Sequence, residues 1–365
     1  MPLVDLKAQH EQVRDEVQRG WEAVLSRTAF VLGDEVGEFE QAFADFSGVR
    51  HCIGVANGTD ALELALRAAG IGLGDEVIVP ANTFIASALA VARAGATPVL
   101  VDVDPDTHLL DLDRAADAVS PRTRAVMPVH LYGQVAPMAE VQALAHAHDL
   151  VVVEDAAQAQ GARRSGRTAG GFGLVAGTSF YPGKNLGAYG DAGAVLTDDD
   201  AIAGRIRALR NYGSEVKYHH PETGFNSRLD TLQAVVLSAK LRRLAGWNEQ
   251  RRQAAARYDE LLADLEEVAR PVTLEGNEHV WHLYVVRVPD RDRVLASLHD
   301  AGVGAGIHYP VPVHLQGAFA HLGQGPGSFP VTEQAAAEIL SLPMYAEITP
   351  EQQQQVVDAL RKAVR

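Results

Sequence analysis

Ser179-Phe180-Tyr181-Pro182-Gly183-Lys184-Asn185-Leu186-Gly187 sets a lysine in a turn-rich loop between apolar segments. Lysine is scarce in this chain. Lys7, Lys184, Lys217, Lys240 and Lys362 are five of 32 basic residues, the rest being arginine. A general bias toward arginine explains the scarcity. It does not explain a lysine in a Pro-Gly turn downstream of Val151-Val152-Val153-Glu154-Asp155. A primary amine forms a Schiff base with an aldehyde, and a guanidinium that stays protonated does not. An amine so placed, with an acid at the end of an apolar run, points to pyridoxal phosphate chemistry.

Around that loop, short β-branched runs alternate with helical patterns. Strands are expected at 76–79, 98–103, 125–129, 150–154 and 193–197, with helices at 60–69, 84–94, 111–119 and 136–148. Strands separated by helices indicate a mostly parallel, buried sheet with right-handed crossovers. From about Arg228 the texture changes. The stretch 228–266 holds only Gly246 among its glycines and prolines, and carries Leu229, Leu232, Val236, Leu241 and Leu244 at helical spacing. A strand at 279–288, a helix at 291–301 and a C-terminal helix from about 350 complete a smaller α+β unit, with a Gly/Pro loop at 323–328. The expected fold class is α/β, with a large domain over 1–245 and a small C-terminal domain over 246–365.

Bulk composition narrows the function. The chain has 365 residues, 47% hydrophobic and 22% charged, as in an ordinary soluble globular protein. Its formal net charge of -15 argues against non-specific binding to nucleic acid or anionic membranes. It leaves room for a local cationic site and a phosphorylated small substrate. Cys52 is the only cysteine, so no intrachain disulfide or CxxC metal site exists. The start of the chain lacks a signal-peptide pattern, and no uncharged apolar run reaches about 18 residues. A cytoplasmic enzyme is the default expectation.

The remaining motifs each carry two readings. Asn57-Gly58-Thr59-Asp60 opens a helix after the run Ile53-Gly54-Val55-Ala56. A helix N-terminus offers free N–H groups and a positive dipole end to an anion, Gly58 allows close approach, and Thr59 adds a hydroxyl. The same residues also read as a plain N-cap. Asp155 ends an apolar strand, where open α/β sheets hold their ligands, and a carboxylate there can keep a pyridinium protonated. It also reads as a cap on the next turn. Gln158 can reach a ring's phenolic oxygen, Ser179 a phosphate, and Phe84 a ring face or simply the core. Gly171-Phe172-Gly173-Leu174-Val175-Ala176-Gly177 imitates a dinucleotide loop. It has one residue too many between its last glycines, with no strand expected before it and no helix after. The histidines show no HExxH pattern and no cysteine supports them, so no metal site is expected.

Taken in order, these motifs resemble the DegT family of pyridoxal-phosphate-dependent sugar aminotransferases, nearly end to end. The matching runs include Asn57-Gly58-Thr59-Asp60-Ala61-Leu62, Gly74-Asp75-Glu76-Val77-Ile78-Val79-Pro80, His130-Leu131-Tyr132-Gly133 and Glu154-Asp155-Ala156-Ala157-Gln158-Ala159. They continue through the Lys184 loop, Gly190-Asp191-Ala192-Gly193-Ala194, Gly224-Phe225-Asn226-Ser227-Arg228-Leu229-Asp230 and Leu232-Gln233-Ala234. The resemblance implies the aspartate-aminotransferase fold (fold type I). It implies Lys184 as Schiff-base lysine and proton shuttle, Asp155 at the pyridine nitrogen, Gln158 at the phenolic oxygen and Phe84 on the ring. Gly58, Thr59 and Ser179 would hold the phosphate, with Asn226 reaching the partner subunit's cofactor in a homodimer with shared sites. Relatives that dehydrate carry histidine in place of this lysine, so Lys184 favours amino transfer. Arg210-Asn211-Tyr212-Gly213-Ser214-Glu215-Val216-Lys217-Tyr218 looks most like the 3-aminotransferases of dTDP-3-keto-6-deoxyhexoses. Tyr181, Lys217, Tyr218, His308 and Tyr309 are the substrate-contact candidates, and L-glutamate is the amino donor implied by the family. A C4 aminotransferase, a dehydratase or aromatic-amine synthase, and a non-catalytic regulatory protein on the same fold are the alternatives.

Overall fold

The structure is a computed structural model and describes every residue from Met1 to Arg365 except Glu215 and Lys217. Its first region holds strands β1 (His51–Val55), β2 (Glu76–Pro80), β3 (Thr97–Val101), β4 (Thr123–Val126) and β5 (Val151–Asp155). A two-residue pair, β6 (Arg163–Arg164) and β7 (Arg167–Thr168), precedes β8 (Val175–Ser179) and β9 (Gly193–Thr197). Seven of these form one sheet in the order β1-β9-β8-β5-β4-β2-β3. The pairs β2–β3, β2–β4, β4–β5 and β5–β8 are parallel, and β9 runs antiparallel to both its neighbours. The sheet is therefore mostly parallel, as the alternation of strands and helices predicts.

Its strands are buried on both faces, which the run Val77-Ile78-Val79-Pro80 of β2 reflects, all of it buried. Helix Gly58–Ala68 packs against the sheet and against helix Ile85–Ala94, burying Ala61, Leu62, Leu64, Ala65 and Leu66. The opposite face is covered by helices Asp34–Ser47 and Thr231–Leu261, where Phe39, Phe43 and Phe180 meet Leu237, Leu241 and Leu244. The expected strands correspond to β2, β3, β4, β5 and β9; β1 was read only as the short run 53–56, and β8 is a strand that the sequence reading missed altogether. Its residues Val175-Ala176-Gly177-Thr178-Ser179 are mostly small because helix Gly58–Ala68 lies directly upon them. A Cβ on Gly177 would stand 2.7 Å from Leu62 Cδ2.

Beyond the sheet, helix Thr231–Leu261 runs without interruption from one hydrophobic cluster into another. Leu241 and Leu244 pack with the sheet, whereas Ala254, Ala255 and Tyr258 join a cluster with Tyr284, Val294, Leu340, Val357 and Leu360. Strand β10 (Asn277–Glu278) pairs with β6, and β11 (Tyr284–Arg287) pairs antiparallel with β12 (Ile339–Leu342). The expected strand 279–288 is thus only partly one. Residues 279–283 are irregular, with Trp281 at φ +48°, and hydrogen-bond instead to the 132–133 turn through Val280 N–H to Gly133 O (2.9 Å) and Leu283 N–H to Tyr132 O (3.2 Å). No helix among the described residues is long and apolar enough to cross a membrane.

One buried group ties the centre together. Successive side chains of a strand face opposite ways, so Glu154 points away from Asp155. Its carboxylate is fully buried and accepts from His130 Nε2 at 2.8 Å and from the N–H groups of Gly170 (2.8 Å), Phe172 (2.7 Å) and Gly173 (2.6 Å). His130 Nδ1 accepts from Ala136 N–H at 3.1 Å, which leaves the ring proton on Nε2. The glycine-rich loop that imitates a nucleotide site is therefore an anion nest whose anion is supplied by the chain itself.

Burial pushes the Glu154 carboxyl up, but the bond from His130 and the loop amides outweigh it, and the pKa falls below the ordinary 4.5. Replacing Glu154 by glutamine sets an amide NH2 against N–H donors. Glu154→Gln should cost about 3–5 kcal/mol of stability, read from denaturation midpoints. A depressed carboxyl pKa contributes stability above its unfolded value and loses it as pH falls through the folded one. Acidification below about pH 4.5 should therefore remove this contribution from the wild type and not from the variant.

Candidate active site

The carboxyl ends of β1, β5 and β8 converge on one crevice, the place where open α/β sheets hold ligands. At its floor is the start of helix Gly58–Ala68. Asn57 caps that helix, its side chain accepting from Asp60 N–H at 2.8 Å. The N–H groups of Gly58 and Thr59 have no acceptor among the described residues. Ser179, the last residue of β8, stands over them. A Cβ on Gly58 would lie 2.6 Å from Ser179 Cβ and 3.1 Å from its Oγ. Gly193 is needed for the same approach, because a Cβ there would fall 2.4 Å from the carbonyl carbon of Asn57. Ser179 Oγ accepts from Tyr181 N–H at 3.2 Å, so its own proton is available to an anion. Two amides and two hydroxyls, those of Thr59 and Ser179, thus form an anion cup.

Asp155 lies across the crevice from the cup, buried. Its Oδ2 accepts from Ser87 Oγ at 2.7 Å and its Oδ1 from Ala157 N–H at 3.1 Å. Gln158 is oriented without ambiguity. Tyr132 N–H donates to its Oε1 at 2.6 Å, which turns Nε2 toward Tyr309 Oη at 2.9 Å and leaves one amide proton for a ligand. Phe84, half exposed at the head of helix Ile85–Ala94, stacks at a tilt on Tyr309 with ring centres 5.0 Å apart.

Lys184 follows a tight turn in which its N–H bonds Tyr181 O at 2.8 Å. Burial pulls its amine down from 10.5 to about 8, with the Asp155 carboxylate opposing the shift. The loop beyond it is clamped from several sides. Asn185 Nδ2 donates to Asn248 Oδ1 (3.0 Å) and Val280 O (2.9 Å), and Lys240 Nζ donates to Gly187 O (2.6 Å). Gln233 Oε1 accepts from Tyr189 N–H at 2.8 Å.

The substrate candidates separate. Tyr181 and Tyr218 are exposed, and Lys217 lies outside the described residues. His308 Nδ1 meets Ser341 Oγ at 2.8 Å, and burial, reinforced by Lys184, drives its pKa down to about 4. Tyr309 sits deeper, between Phe84 and Gln158. Asn226 is exposed on a loop whose next residue, Ser227, is buried and bonds Asp60 Oδ2 at 2.8 Å and Ala56 N–H at 3.2 Å. Sequence reasoning missed Ser87, Thr83, Tyr132 and Asn185. Tyr132 and Asn185 fall in the motifs quoted above and Ser87 and Thr83 do not, but the roles of all four depend on segments brought together in space.

An amine poised for carbonyl chemistry, an anion cup, a buried carboxylate and an aligned amide define a site suited to pyridoxal phosphate. The DegT/DnrJ/EryC1/StrS aminotransferase family matches residues 11–361, and the chain belongs to that family. It is 48% identical over 362 residues to the dTDP-3-amino-3,4,6-trideoxy-alpha-D-glucose transaminase of Streptomyces venezuelae, covering 99% of this chain and 96% of that one. It is 47% identical over 367 residues to the pleiotropic regulatory protein of Geobacillus stearothermophilus, covering 100% and 99%. The solved structure of S. venezuelae DesV in complex with a ketimine intermediate superimposes with a TM-score of 0.97 at 48% identity, covering 100% of this chain and 98% of that one.

Two predictions follow from this geometry. Gly58→Ala should weaken pyridoxal phosphate affinity at least about tenfold, measured by titrating the apoprotein, because the new methyl group must displace Ser179 from the cup. Only a neutral amine attacks an aldehyde. The rate at which the apoprotein captures pyridoxal phosphate should therefore rise with pH to a half-maximum near the Lys184 pKa of about 8, rather than near 10.5.

Proposed function

We propose that the protein transfers an amino group from L-glutamate to a dTDP-linked keto-6-deoxysugar, at C3, working in the cytoplasm as a homodimer with shared active sites. The observation that carries this reading is the pairing of the low-pKa Lys184 amine with the Gly58–Thr59–Ser179 cup across one crevice. The site residues fit pyridoxal phosphate. When bound, that cofactor supplies an electron sink for the charge left on a deprotonated carbon.

The chain supplies binding, orientation and proton movement. Gly58, Thr59 and Ser179 would hold the phosphate through their N–H and O–H groups, with the helix dipole adding to the attraction. Asp155 would accept from the ring nitrogen and keep it protonated, Gln158 Nε2 would donate to the phenolic oxygen, and Phe84 would cover a ring face. Lys184 Nζ would carry the cofactor and, when free, would take the proton from the amine-bearing carbon of the donor and return one to the sugar. Tyr181, Lys217, Tyr218, His308 and Tyr309 are assigned to the sugar nucleotide, and Asn226 to the phosphate of the partner subunit's cofactor. Residues 1–245 form the cofactor-binding domain in this reading and 246–365 the small domain. The substrate rests on the similarity to the S. venezuelae transaminase. The regulatory role named for the Geobacillus relative is the second reading, and the intact Lys184 and Asp155 weigh against it.

Incubation with pyridoxal phosphate, L-glutamate and a panel of dTDP-keto sugars, with the amine located by NMR, tests the whole proposal. A 3-amino product is expected. A 4-amino product would correct the position, and no turnover of any sugar would remove the enzyme reading.

Variants at three positions test the parts. Lys184→Ala should fold and lose all turnover, and arginine there should fail as well. Asp155→Asn should fold and lose on the order of a hundredfold or more in rate. For Asn226, two inactive variants are mixed and allowed to exchange subunits, namely Lys184→Ala and a cofactor-binding-defective Asn226→Asp. If Asn226 acts in trans, the mixed dimer has one intact site and regains partial activity. No recovery despite proven heterodimers would place Asn226 elsewhere.

A further inference from the structure

The side chains around Asp155 carry one more assignment, which rests on the pyridoxal phosphate reading above. Helix Ile85–Ala94 is built from alanine, valine, isoleucine, leucine and a single arginine, apart from one buried hydroxyl at Ser87. A buried hydroxyl is costly unless it is bonded. Ser87 Oγ lies 2.7 Å from Asp155 Oδ2 and 2.7 Å from Thr83 Oγ1, while its next acceptor, Phe84 O, is at 3.4 Å. An ionised carboxylate only accepts. The single Ser87 proton therefore goes to Asp155, and Thr83 must donate to Ser87. The result is a directed chain from Thr83 O–H to Ser87 O–H to Asp155, with all three residues buried.

We propose that Ser87, itself oriented by Thr83, is a positioning residue for amino transfer, whose hydroxyl holds Asp155 as an anion aimed at the cofactor's ring nitrogen. The physics has a definite sign. A proton between Asp155 and the ring nitrogen has two homes. A hydroxyl donated to the carboxylate stabilises the arrangement in which the acid is charged and the nitrogen carries the proton. Removing the hydroxyl moves the proton toward the acid and weakens the electron sink. The same helix also presents Phe84 as its N-terminal cap, so one turn of backbone sets both the face of the ring and the state of its nitrogen. Lys184 and Tyr309 are the other titratable groups that feel the Asp155 charge, and neither is hydrogen-bonded to Asp155.

The test uses the holoenzyme and reads the visible absorption band of the lysine-bound cofactor against pH, alongside steady-state kinetics. A protonated ring nitrogen withdraws electrons and lowers the pH at which that band titrates. In Ser87→Ala the midpoint should move up by about one pH unit, and kcat should fall about tenfold with KM for the sugar little changed. Ser87→Thr, which keeps a hydroxyl, should restore both. Thr83→Val should give a smaller shift in the same direction, and it keeps the test alive if Ser87→Ala folds poorly. Adding Ser87→Ala to Asp155→Asn should change neither quantity further, because the residue acts through Asp155. Wild-type midpoint and kcat in Ser87→Ala would overturn the assignment, as would an undiminished effect in the Asp155→Asn background. A wild-type enzyme that never forms the visible band would instead remove the pyridoxal phosphate reading, and this assignment with it.

Discussion

The site depends on how closely three pieces of backbone approach one another at the edge of the sheet. The turn Asn57–Gly58 leaves β1, Ser179 closes β8, and Gly193 opens β9, all at distances that a single Cβ would violate. This approach is possible because β9 is the one antiparallel strand, so its beginning meets the ends of β1 and β8. Small residues in β8 then let helix Gly58–Ala68 lie flat against the sheet with its N-terminus aimed into the crevice. The unpaired amides of Gly58 and Thr59 follow from the fold, and the anion cup with them.

Strand β5 divides its work by the alternation of a strand. Glu154 faces one way and is saturated by donors from His130 and the 170–173 loop. Asp155 faces the other way and is held by Ser87 and Ala157. Neighbouring acids of the same type thus have opposite tasks. The first fixes the strand and its flanking loop, because a buried carboxylate must be fully satisfied. The second sits in a rigid frame that the first helps create, with acceptor capacity left for a ligand.

Much of this was legible in the sequence. The alternation of β-branched runs and helices gave the parallel sheet, and the order of Gly58, Asp155, Ser179 and Lys184 pointed to residues that the fold gathers at one crevice. What was not legible had a physical cause in each case. Strand β8 escaped because its composition answers to the helix packed on it rather than to strand propensity. The 279–283 stretch looked like a strand because its residues are apolar and aromatic, yet their backbone is spent on the 132–133 turn. The 170–173 loop imitates a nucleotide site in sequence, and nothing local showed that its anion is Glu154, some 16–19 residues away. Ser87 was invisible for the same reason, since its meaning lies 68 residues along the chain.

Lys184 was singled out from five lysines by its loop, and the structure shows why burial alone would not have separated it. Lys240 is buried too, and burial brings its amine down to about 8, the same value as Lys184. A lowered pKa therefore does not separate them. Their surroundings do. Lys240 Nζ donates to Gly187 O at 2.6 Å and lies over the Tyr189 ring at 4.7 Å, so its charge is committed to holding the loop. Lys184 Nζ has no hydrogen-bond acceptor among the described residues, opens on the crevice, and is carried by the loop that Lys240 pins. One amine is spent on holding the loop, and the other is carried by that loop with its nitrogen left unengaged, which is the geometry an attacking amine requires: held in place without being bound at its own nitrogen.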